Sequence, residues 1–261
     1  MSSPLPAKAY TERLFLLYTP IWTGLMAVVI LFGLYRSFQD MGYLVLGLVV
    51  MLPLWLWPLF RPPESERGLP LSRRTSFRLN VFLFILSWVG NYAFSEFFFD
   101  LLGMRYFWPT TWNLDSALLG RGNGKVPFAL YLLTHAYFAT YHGVMQLVWR
   151  WSKRRFALGL VGNVVVVCVL SYAMAFAETA SMATDAIKDV FEYTDKRAML
   201  LYGSIFYGVL FVFSLPVFAR IDETPDELAR PLWDVALRAL GVCMAVFLVL
   251  DGWALLIGPL A

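Results

Sequence analysis

The sequence is poor in the residues that soluble enzymes use on their surfaces and in their active sites. Only 15% of its 261 residues are Asp, Glu, Lys or Arg, and it contains two histidines and two cysteines. A typical soluble domain carries about 25% charged residues, so the low charge argues against a soluble globule. Two cysteines inside apolar runs exclude a disulfide-rich secreted scaffold.

The scarcity of histidine excludes further classes of site. Membrane di-iron hydroxylases and desaturases need many histidines, and this chain has only His135 and His142. Seven helical residues separate the pair by about 10 Å, which is too far for one zinc ion.

The chain also lacks a GxSxG nucleophile elbow and a repeat of fixed period. We therefore expect no metal and no cofactor, and the missing repeat argues against an inverted-repeat transporter.

Apolar residues are what the sequence has in excess. They make up 59% of the chain, aromatic residues alone make up 17%, and the mean hydropathy is +0.64. A helix needs about 20 apolar residues to cross a bilayer. The composition predicts an all-α polytopic bundle of about seven spans (six to eight) in a single integral membrane domain, residues 1–261. The predicted spans are 14–35, 42–60, 79–101, 126–149, 158–180, 199–219 and 234–257.

Proline and glycine predict irregularities inside three of these spans. Pro53 and Pro58 are expected to interrupt or end the second span, and Pro216 to end the sixth. The Gly90-Asn91 pair is expected to bend the third, because such sequences weaken the helical ladder.

The basic residues predict the orientation in the membrane. Fourteen of the 21 Lys and Arg residues fall at the N-terminus and in the loops on the same side of the predicted bundle. The positive-inside rule then places the N-terminus in the cytoplasm. A net charge of +3 is ordinary for membrane loops, so we expect membrane lipid and no nucleic acid as a partner. The expected location is the endoplasmic reticulum of a eukaryote or the inner membrane of a bacterium, and the oligomeric state stays open.

Ionisable side chains inside the spans are costly and therefore mark candidate sites. Helical spacing groups several of them, since residues three, four or seven apart share a face. Tyr92, Glu96 and Asp100 form one stripe. A second stripe combines Tyr131, His135, Phe138 and His142, and a third combines Ser171, Met174 and Glu178. The remaining intramembrane acid is Asp251. Most of these groups lie in the predicted outer half, next to two unusual loops, 102–125 and 181–198.

The residue types favour cofactor-free proton chemistry. A carboxylic acid in apolar surroundings tends to hold its proton and can act as a general acid. Aromatic rings can stabilise a carbocation through their faces. These patterns do not identify the substrate.

Several segments together resemble the cycloeucalenol cycloisomerases, also called cyclopropyl sterol isomerases. The segments are FLLYTPIW (15–22), SWVGNYAFSEFFFDLLG (87–103), LLTHAYFATYH (132–142), LSYAMAFAET (170–179), DKRAM (195–199), FSLPVFARIDE (213–223) and LDGWALLIG (250–258). Their order and spacing cover most of the chain. Glu96 departs from the family pattern, which has a histidine in that region, and the 113–126 stretch is longer here.

The resemblance implies an isomerase that opens the 9β,19-cyclopropane ring of a 4α-methyl sterol, converting cycloeucalenol to obtusifoliol. An acid would protonate C19, a cation would form at C9, and a base would remove the C8 proton. The candidate catalytic residues are Glu178 as acid, His135 as base, His142 as relay and Glu96 as a second acid or hydroxyl ligand. The candidate substrate-binding residues are Asn91, Tyr92, Asp100, Tyr131, Tyr141, Tyr172 and Asp251.

Two other functions fit the same sequence features. A non-catalytic sterol-binding protein would keep the cavity without needing an acid, and a sterol double-bond isomerase would use the same proton chemistry. Products formed in a host that makes cyclopropyl sterols distinguish these from the ring-opening enzyme.

Overall fold

The computed structural model describes residues 5–117, 119 and 124–259, and seven long helical rods make up most of it. The helices are α1 (Pro6–Leu31), α2 (Asp40–Phe60), α3 (Thr75–Val89), α4 (Ser95–Leu102), α5 (Phe128–Phe156), α6 (Leu160–Met182), α7 (Lys196–Ala198), α8 (Ser204–Arg220), α9 (Pro225–Leu228) and α10 (Leu232–Leu256). The α3–α4 pair forms one rod, and so does the α7–α8 pair. The predicted helical bundle is confirmed, and each predicted span overlaps one rod.

Two short strands were not predicted. β1 (Met104–Tyr106) and β2 (Phe191–Tyr193) pair in antiparallel register, with Met104 opposite Tyr193 and Tyr106 opposite Phe191. The strands join the two unusual loops that the sequence places on one side of the membrane. Short 3-10 turns cover Leu34–Ser37, Glu64–Glu66, Leu71–Arg73 and Asp185–Ile187.

Six rods of the described chain are long and apolar enough to cross a membrane, and α5 is the rod that differs. It is 29 residues long but less apolar than the others. It packs against α1, α2, α3, α6 and α8, so its polar side chains Thr140, His142 and Gln146 are buried inside the bundle. The composition of α5 thus follows from its central position, where neighbouring helices replace lipid.

α1 begins at Pro6, eight residues earlier than predicted. The extra turns contain Lys8 and Glu12. Because both side chains are charged, a hydropathy pattern does not assign these turns to the span. Both side chains are buried. The Lys8 ammonium donates to the carbonyl oxygens of Ala219, at 2.6 Å, and Ile221, at 2.5 Å. A buried charge is tolerated because it is paired and hydrogen-bonded.

The predicted proline breaks are wrong, because α2 continues through Pro53 and Pro58 and α8 continues through Pro216. A proline leaves the carbonyl four residues earlier without its helical donor. In α2 other helices supply the donor. The Tyr18 hydroxyl donates to the carbonyl of Val49 at 3.3 Å, and the Asn80 amide donates to that of Leu54 at 3.0 Å. Tertiary hydrogen bonds therefore hold α2 together.

Two rods contain a π-helical turn. The first, Gly90–Phe94, joins α3 to α4 at the predicted Gly90-Asn91 irregularity, and the second, Met199–Gly203, joins α7 to α8. Such turns insert an extra residue into a helix and often accompany functional sites.

Contacts at the two ends show that successive rods alternate in direction. At one end, Arg150 near the end of α5 binds Glu12 at the start of α1 and Glu223 just after α8. At the other end, Arg36 after α1 binds Asp189 beside β2 at 2.7 Å. This alternation is what a chain that crosses the membrane repeatedly requires.

Candidate active site

Glu178 lies at the junction of two cavities near the β1–β2 end of the bundle. The first chamber, of about 100 Å³, lies among the π-helical turn Gly90–Phe94, α4, α5, α6, α8 and α10. The second, of about 120 Å³, lies among α1, α2, α5 and α6. Both are lined by Tyr106, Thr134, Glu178, Met182 and Phe191. A single carboxyl thus faces both chambers.

The walls of the two chambers are largely aromatic and aliphatic. The first is lined by Asn91, Phe94, Ser95, Phe98, Phe138, Phe206, Tyr207, Leu210, Val246 and Leu250, among others. The second is lined by Val29, Tyr35, Tyr43, Leu46, Trp108, Leu130, Leu133 and Tyr137, among others. A few polar groups in apolar walls are typical of sites for hydrophobic ligands.

Small residues on α6 and α8 bring these helices close enough to set the position of Glu178. The buried stripe of α6 includes Ser171, Ala175 and Thr179. On α8, a Cβ added to Gly208 would lie 3.4 Å from the backbone of Ser171. Small residues permit such close backbone approach between membrane helices. Glu178 follows this stripe near the end of α6, where it meets Tyr207 of α8.

One tyrosine hydroxyl bonds directly to the Glu178 carboxyl, and a second tyrosine lies nearby. Tyr207 donates to Oε2 of Glu178, and Tyr141 is close to the same carboxyl. Apolar surroundings penalise a charged carboxylate, whereas hydroxyl donors stabilise it. The carboxyl can therefore hold a proton and also remain stable after giving it up.

The paired strands close the end of the site. Tyr106 of β1 lines both chambers, and Tyr193 of β2 lines the first. Burial and, after it, the nearby carboxyl of Glu178 hold the pKa of each tyrosine well above its usual range. Both phenols consequently stay protonated at neutral pH and offer O–H donors. Sequence reasoning missed Tyr106, Tyr193 and Tyr207, although the aromatic loops 102–125 and 181–198 were noted as unusual.

Two of the predicted substrate-binding residues belong to this site. Asn91 lines the first chamber from the π-helical turn, and its amide nitrogen donates to Ser87. Tyr141 lies close to the Glu178 carboxyl. Among the predicted catalytic residues, Glu178 is the one that lines a chamber.

Three predicted residues lie one position beyond a lining residue. Ser95, Thr134 and Leu250 line the first chamber, whereas Glu96, His135 and Asp251 do not. Adjacent helical residues point about 100° apart. Glu96 is 1% exposed, with no hydrogen-bond partner for either carboxyl oxygen. Asp251 is exposed on the outer surface of α10.

Both histidines face other helices. His135 Nε2 lies 2.8 Å from Asn80 Oδ1, and its ring stacks on Trp55. His142 has Nδ1 2.8 Å from the Phe138 carbonyl and Nε2 2.8 Å from Ser214 Oγ. Neither histidine lines a chamber. The structure therefore does not place the predicted base next to the predicted acid.

The other predicted binding residues are also outside the two chambers. The Tyr131 hydroxyl donates to the Leu114 carbonyl, and Tyr92 is half-buried. Asp100 lines a separate surface pocket with Arg105 and Lys125. Tyr172 is 36% exposed on the outer side of α6. Hydropathy alone does not distinguish the cavity-facing side of a helix from its lipid-facing side.

The described residues contain no group of three or more His, Cys, Asp or Glu side chains able to hold a metal ion. The polar groups of the residues that line the chambers include a carboxyl, an amide, an indole N–H and several hydroxyls. These groups can form hydrogen bonds, and the carboxyl can also transfer a proton.

Fold and site together define a polytopic helical membrane protein with a carboxyl enclosed between aromatic-lined chambers. A protein of Arabidopsis thaliana named cycloeucalenol cycloisomerase is 32% identical to this chain over 268 aligned positions, covering 99% of this chain and 89% of the relative. The chain belongs to the cycloeucalenol cycloisomerase family and is an isomerase. No protein-family profile matches the chain. No solved structure matches it either.

Proposed function

We propose that this isomerase opens the 9β,19-cyclopropane ring of a 4α-methyl cyclopropyl sterol, as the name of its relative indicates, and that Glu178 is its acid. The observation that carries the assignment is the position of Glu178, which lines both chambers and is bonded to Tyr207. A carboxyl at a cavity junction can approach the middle of a long ligand, where the cyclopropane of a sterol lies.

The first step protonates carbon. The Glu178 carboxylic acid gives its proton to C19 while the C9–C19 bond breaks. The electron pair of that bond forms the new C19–H bond and leaves a cation at C9. Phe98 and Phe206 line the first chamber, and their ring faces can stabilise a nearby cation.

The second step removes a proton and restores the acid. The C8–H electron pair moves into a C8=C9 double bond, and the proton passes to the Glu178 carboxylate. C19 and C8 are both bonded to C9, so one carboxyl can reach both positions with little movement. This single-carboxyl cycle conserves protons and electrons, and it replaces His135 as the proposed base.

Binding of a sterol requires the chambers to merge. Sites for drug-sized ligands usually measure about 300–1,000 Å³, and each chamber here is smaller. The shared side chains Tyr106, Met182 and Phe191 stand between them. We propose that these side chains move aside when the sterol enters, so that Glu178 faces one continuous cavity.

We further propose that the end containing Lys8 and Arg150 faces the cytoplasm, in accord with the distribution of basic residues. The active site then lies in the non-cytoplasmic half of the membrane. Membrane lipid is the medium through which a sterol would reach it.

The decisive experiment compares Glu178→Gln with Glu96→Gln in purified protein supplied with cycloeucalenol. Loss of a general acid typically costs 10²–10⁴-fold in rate, so we expect Glu178→Gln to lose at least about 100-fold in turnover. Glu96→Gln is the matched control because Glu96 is also a carboxyl on a long apolar rod but lines neither chamber. Sterol products are measured by mass spectrometry, and folding by circular dichroism.

A folded Glu178→Gln variant with near-normal turnover would contradict the acid assignment. Wild-type protein that binds cycloeucalenol without producing a Δ8 sterol would instead favour a sterol-binding role.

A further inference from the structure

A large groove lies at the opposite end of the bundle from Glu178, between α5, α6 and α8. Its volume is about 580 Å³. One wall is apolar and is formed by Leu160, Val164, Val167, Cys168, Val212 and Pro216. Leu160 is 82% exposed and Val164 54% exposed. Because α6 is one of the membrane-crossing helices, this wall opens toward lipid.

The rim of the groove is basic. Arg150, Lys153, Arg154 and Arg220 line it together with one acid, Glu223. The charge of Glu223 is already compensated, because its Oε2 lies 3.1 Å from the Lys8 ammonium and 2.7 Å from the Arg150 guanidinium. Arg150 also binds Glu12.

The other three cations of the rim are available to a ligand. The Lys153 ammonium lies over the Trp149 ring, 3.8 Å from its centroid. Arg154 and Arg220 are exposed and form no ion pair with any residue in the described part of the chain. Three uncompensated cations in one rim attract an anionic group.

A buried amide adds a neutral polar contact inside the groove. Gln146 lines the groove and is 1% exposed, yet its Oε1 atom has no hydrogen-bond partner. Leaving such an atom unbonded is costly. A ligand with a hydroxyl group near its anionic head would satisfy it.

From these features we infer that the groove binds an anionic glycerophospholipid such as phosphatidylglycerol. The phosphate contacts Lys153, Arg154 and Arg220, the head region reaches Gln146, and an acyl chain follows the wall formed by Val164 and Val167. Free phosphate would satisfy the cations but leave the apolar wall unused. The site is separate from the Glu178 chambers, so the inference does not depend on the proposed reaction.

The test measures lipid binding to the purified full-length protein in mild detergent by native mass spectrometry. We expect phosphatidylglycerol to bind on the order of tenfold more tightly than phosphatidylcholine with the same acyl chains, because each basic residue contributes through its charge. The double variant Arg154→Ala/Arg220→Ala should weaken phosphatidylglycerol binding by about tenfold or more. Inorganic phosphate at millimolar concentration should not displace the lipid.

The matched control is the double variant Arg13→Ala/Arg155→Ala. Both residues are exposed and lie at the same end of the bundle, but neither lines the groove. We expect this variant to bind phosphatidylglycerol within about twofold of wild type, since only charge outside the rim is removed. Equal affinity for the two lipids, equal losses in both double variants, or displacement by inorganic phosphate would each overturn the inference.

Discussion

Glu178 and Glu96 show how the surroundings of a residue decide its chemical use. Both are carboxyls on predicted membrane spans, and pattern alone made both candidates. Tyr207 donates to Glu178, whereas neither carboxyl oxygen of Glu96 has a hydrogen-bond partner. A carboxylate formed at Glu178 therefore has a hydroxyl donor to stabilise it, and one formed at Glu96 would lack one. Of the two carboxyls, Glu178 is therefore the one better suited to give up a proton and take it back.

Tyr207→Phe should slow the reaction by about 10- to 100-fold, because a hydrogen bond to a charged group is worth about 1.5–3 kcal/mol. The loss should appear mainly in kcat, since the bond strengthens when the carboxylate forms. Steady-state kinetics on purified protein measure it. Tyr172→Phe removes a hydroxyl from the outer surface of α6 and should leave kcat unchanged. Equal kcat in wild type and Tyr207→Phe would show that this donor does not act in the reaction.

His135→Gln should retain turnover within about threefold of wild type, far less than the 10²–10⁴-fold expected on losing a general base. The reason is that His135 bonds to Asn80 and stacks on Trp55, outside the chambers. The variant is assayed at a temperature where circular dichroism shows it folded. A loss of 100-fold or more in the folded variant would restore His135 as the base and reject the single-carboxyl cycle.

Several predicted candidates lie one residue away from the side chains that line the first chamber. The structure lines the first chamber with Ser95, Thr134 and Leu250, each one residue before a predicted polar candidate. The helices concerned are apolar around most of their circumference, so no polar face indicates which side meets a cavity. A charged group on such a helix is evident in the sequence, whereas its direction depends on the neighbouring helices.

At the scale of elements, close packing of α6 against α8 supports the site. Gly208 lies against the backbone of Ser171, and Tyr207, the residue before it, reaches Glu178. The glycine is needed for its small size, because membrane helices approach closely only through small residues. The position of Glu178, the proposed acid, thus depends on a residue that does not line either chamber.

Gly208→Leu should destabilise the protein by about 1–3 kcal/mol, the usual cost of overpacking. It should also lower activity by separating α6 from α8. The measurement is the thermal unfolding midpoint in detergent. Gly241→Leu is the matched control, because an added Cβ at Gly241 meets no atom within 4 Å. If both leucine variants unfold at the wild-type temperature, the close approach of α6 and α8 is not what holds them together.

The sequence gives little signal for two features of the fold, the β1–β2 pair and the central position of α5. The β1–β2 pair is formed by segments almost ninety residues apart, and three-residue strands leave little local pattern. Helix α5 was predicted, like the other spans, from its apolar length, yet its polar residues reflect burial among five helices. The hydrophobic pattern within one segment does not indicate which distant strand it pairs with, nor whether a helix lies at the centre of the bundle.

At the scale of the whole molecule, a charged cluster ties together the end opposite the active site. Lys8, Glu12, Arg150 and Glu223 join α1, α5 and the end of α8, and Arg78 of α3 pairs with Asp222 at 3.0 Å with both side chains buried. Breaking a buried pair is strongly destabilising, because one charge stays uncompensated. The cluster therefore fixes where four helices begin or end.

The Glu223 pairing predicts a specific loss of stability in acid. Burial alone would raise the pKa of Glu223, but Lys8 and Arg150 outweigh it and hold the pKa below the usual range. A lowered folded-state pKa stabilises the protein above the unfolded-state value, about 4.3, and the contribution is lost as pH falls through the folded-state pKa. Glu223→Gln should therefore unfold at a lower temperature than wild type at pH 7.

The difference in unfolding temperature between wild type and Glu223→Gln should shrink below about pH 4. Thermal unfolding of both proteins across pH measures it. Asp222, whose pKa burial raises, responds in the opposite direction but is present in both proteins, so the comparison isolates Glu223. If the difference in unfolding temperature stays the same at every acidic pH, the ionised Glu223 is not stabilised by Lys8 and Arg150.

The sequence by itself determined that the protein is a polytopic helical bundle and approximately where its long helices lie. It could do so because crossing a bilayer imposes length and hydropathy on each helix separately. Only the tertiary structure decided which side of each helix meets a cavity, that the strands of two distant loops close the site, and that Glu178 meets Tyr207. These depend on contacts between helices whose apolar surfaces look alike in sequence, so only packing distinguishes the side that meets lipid from the side that lines a cavity.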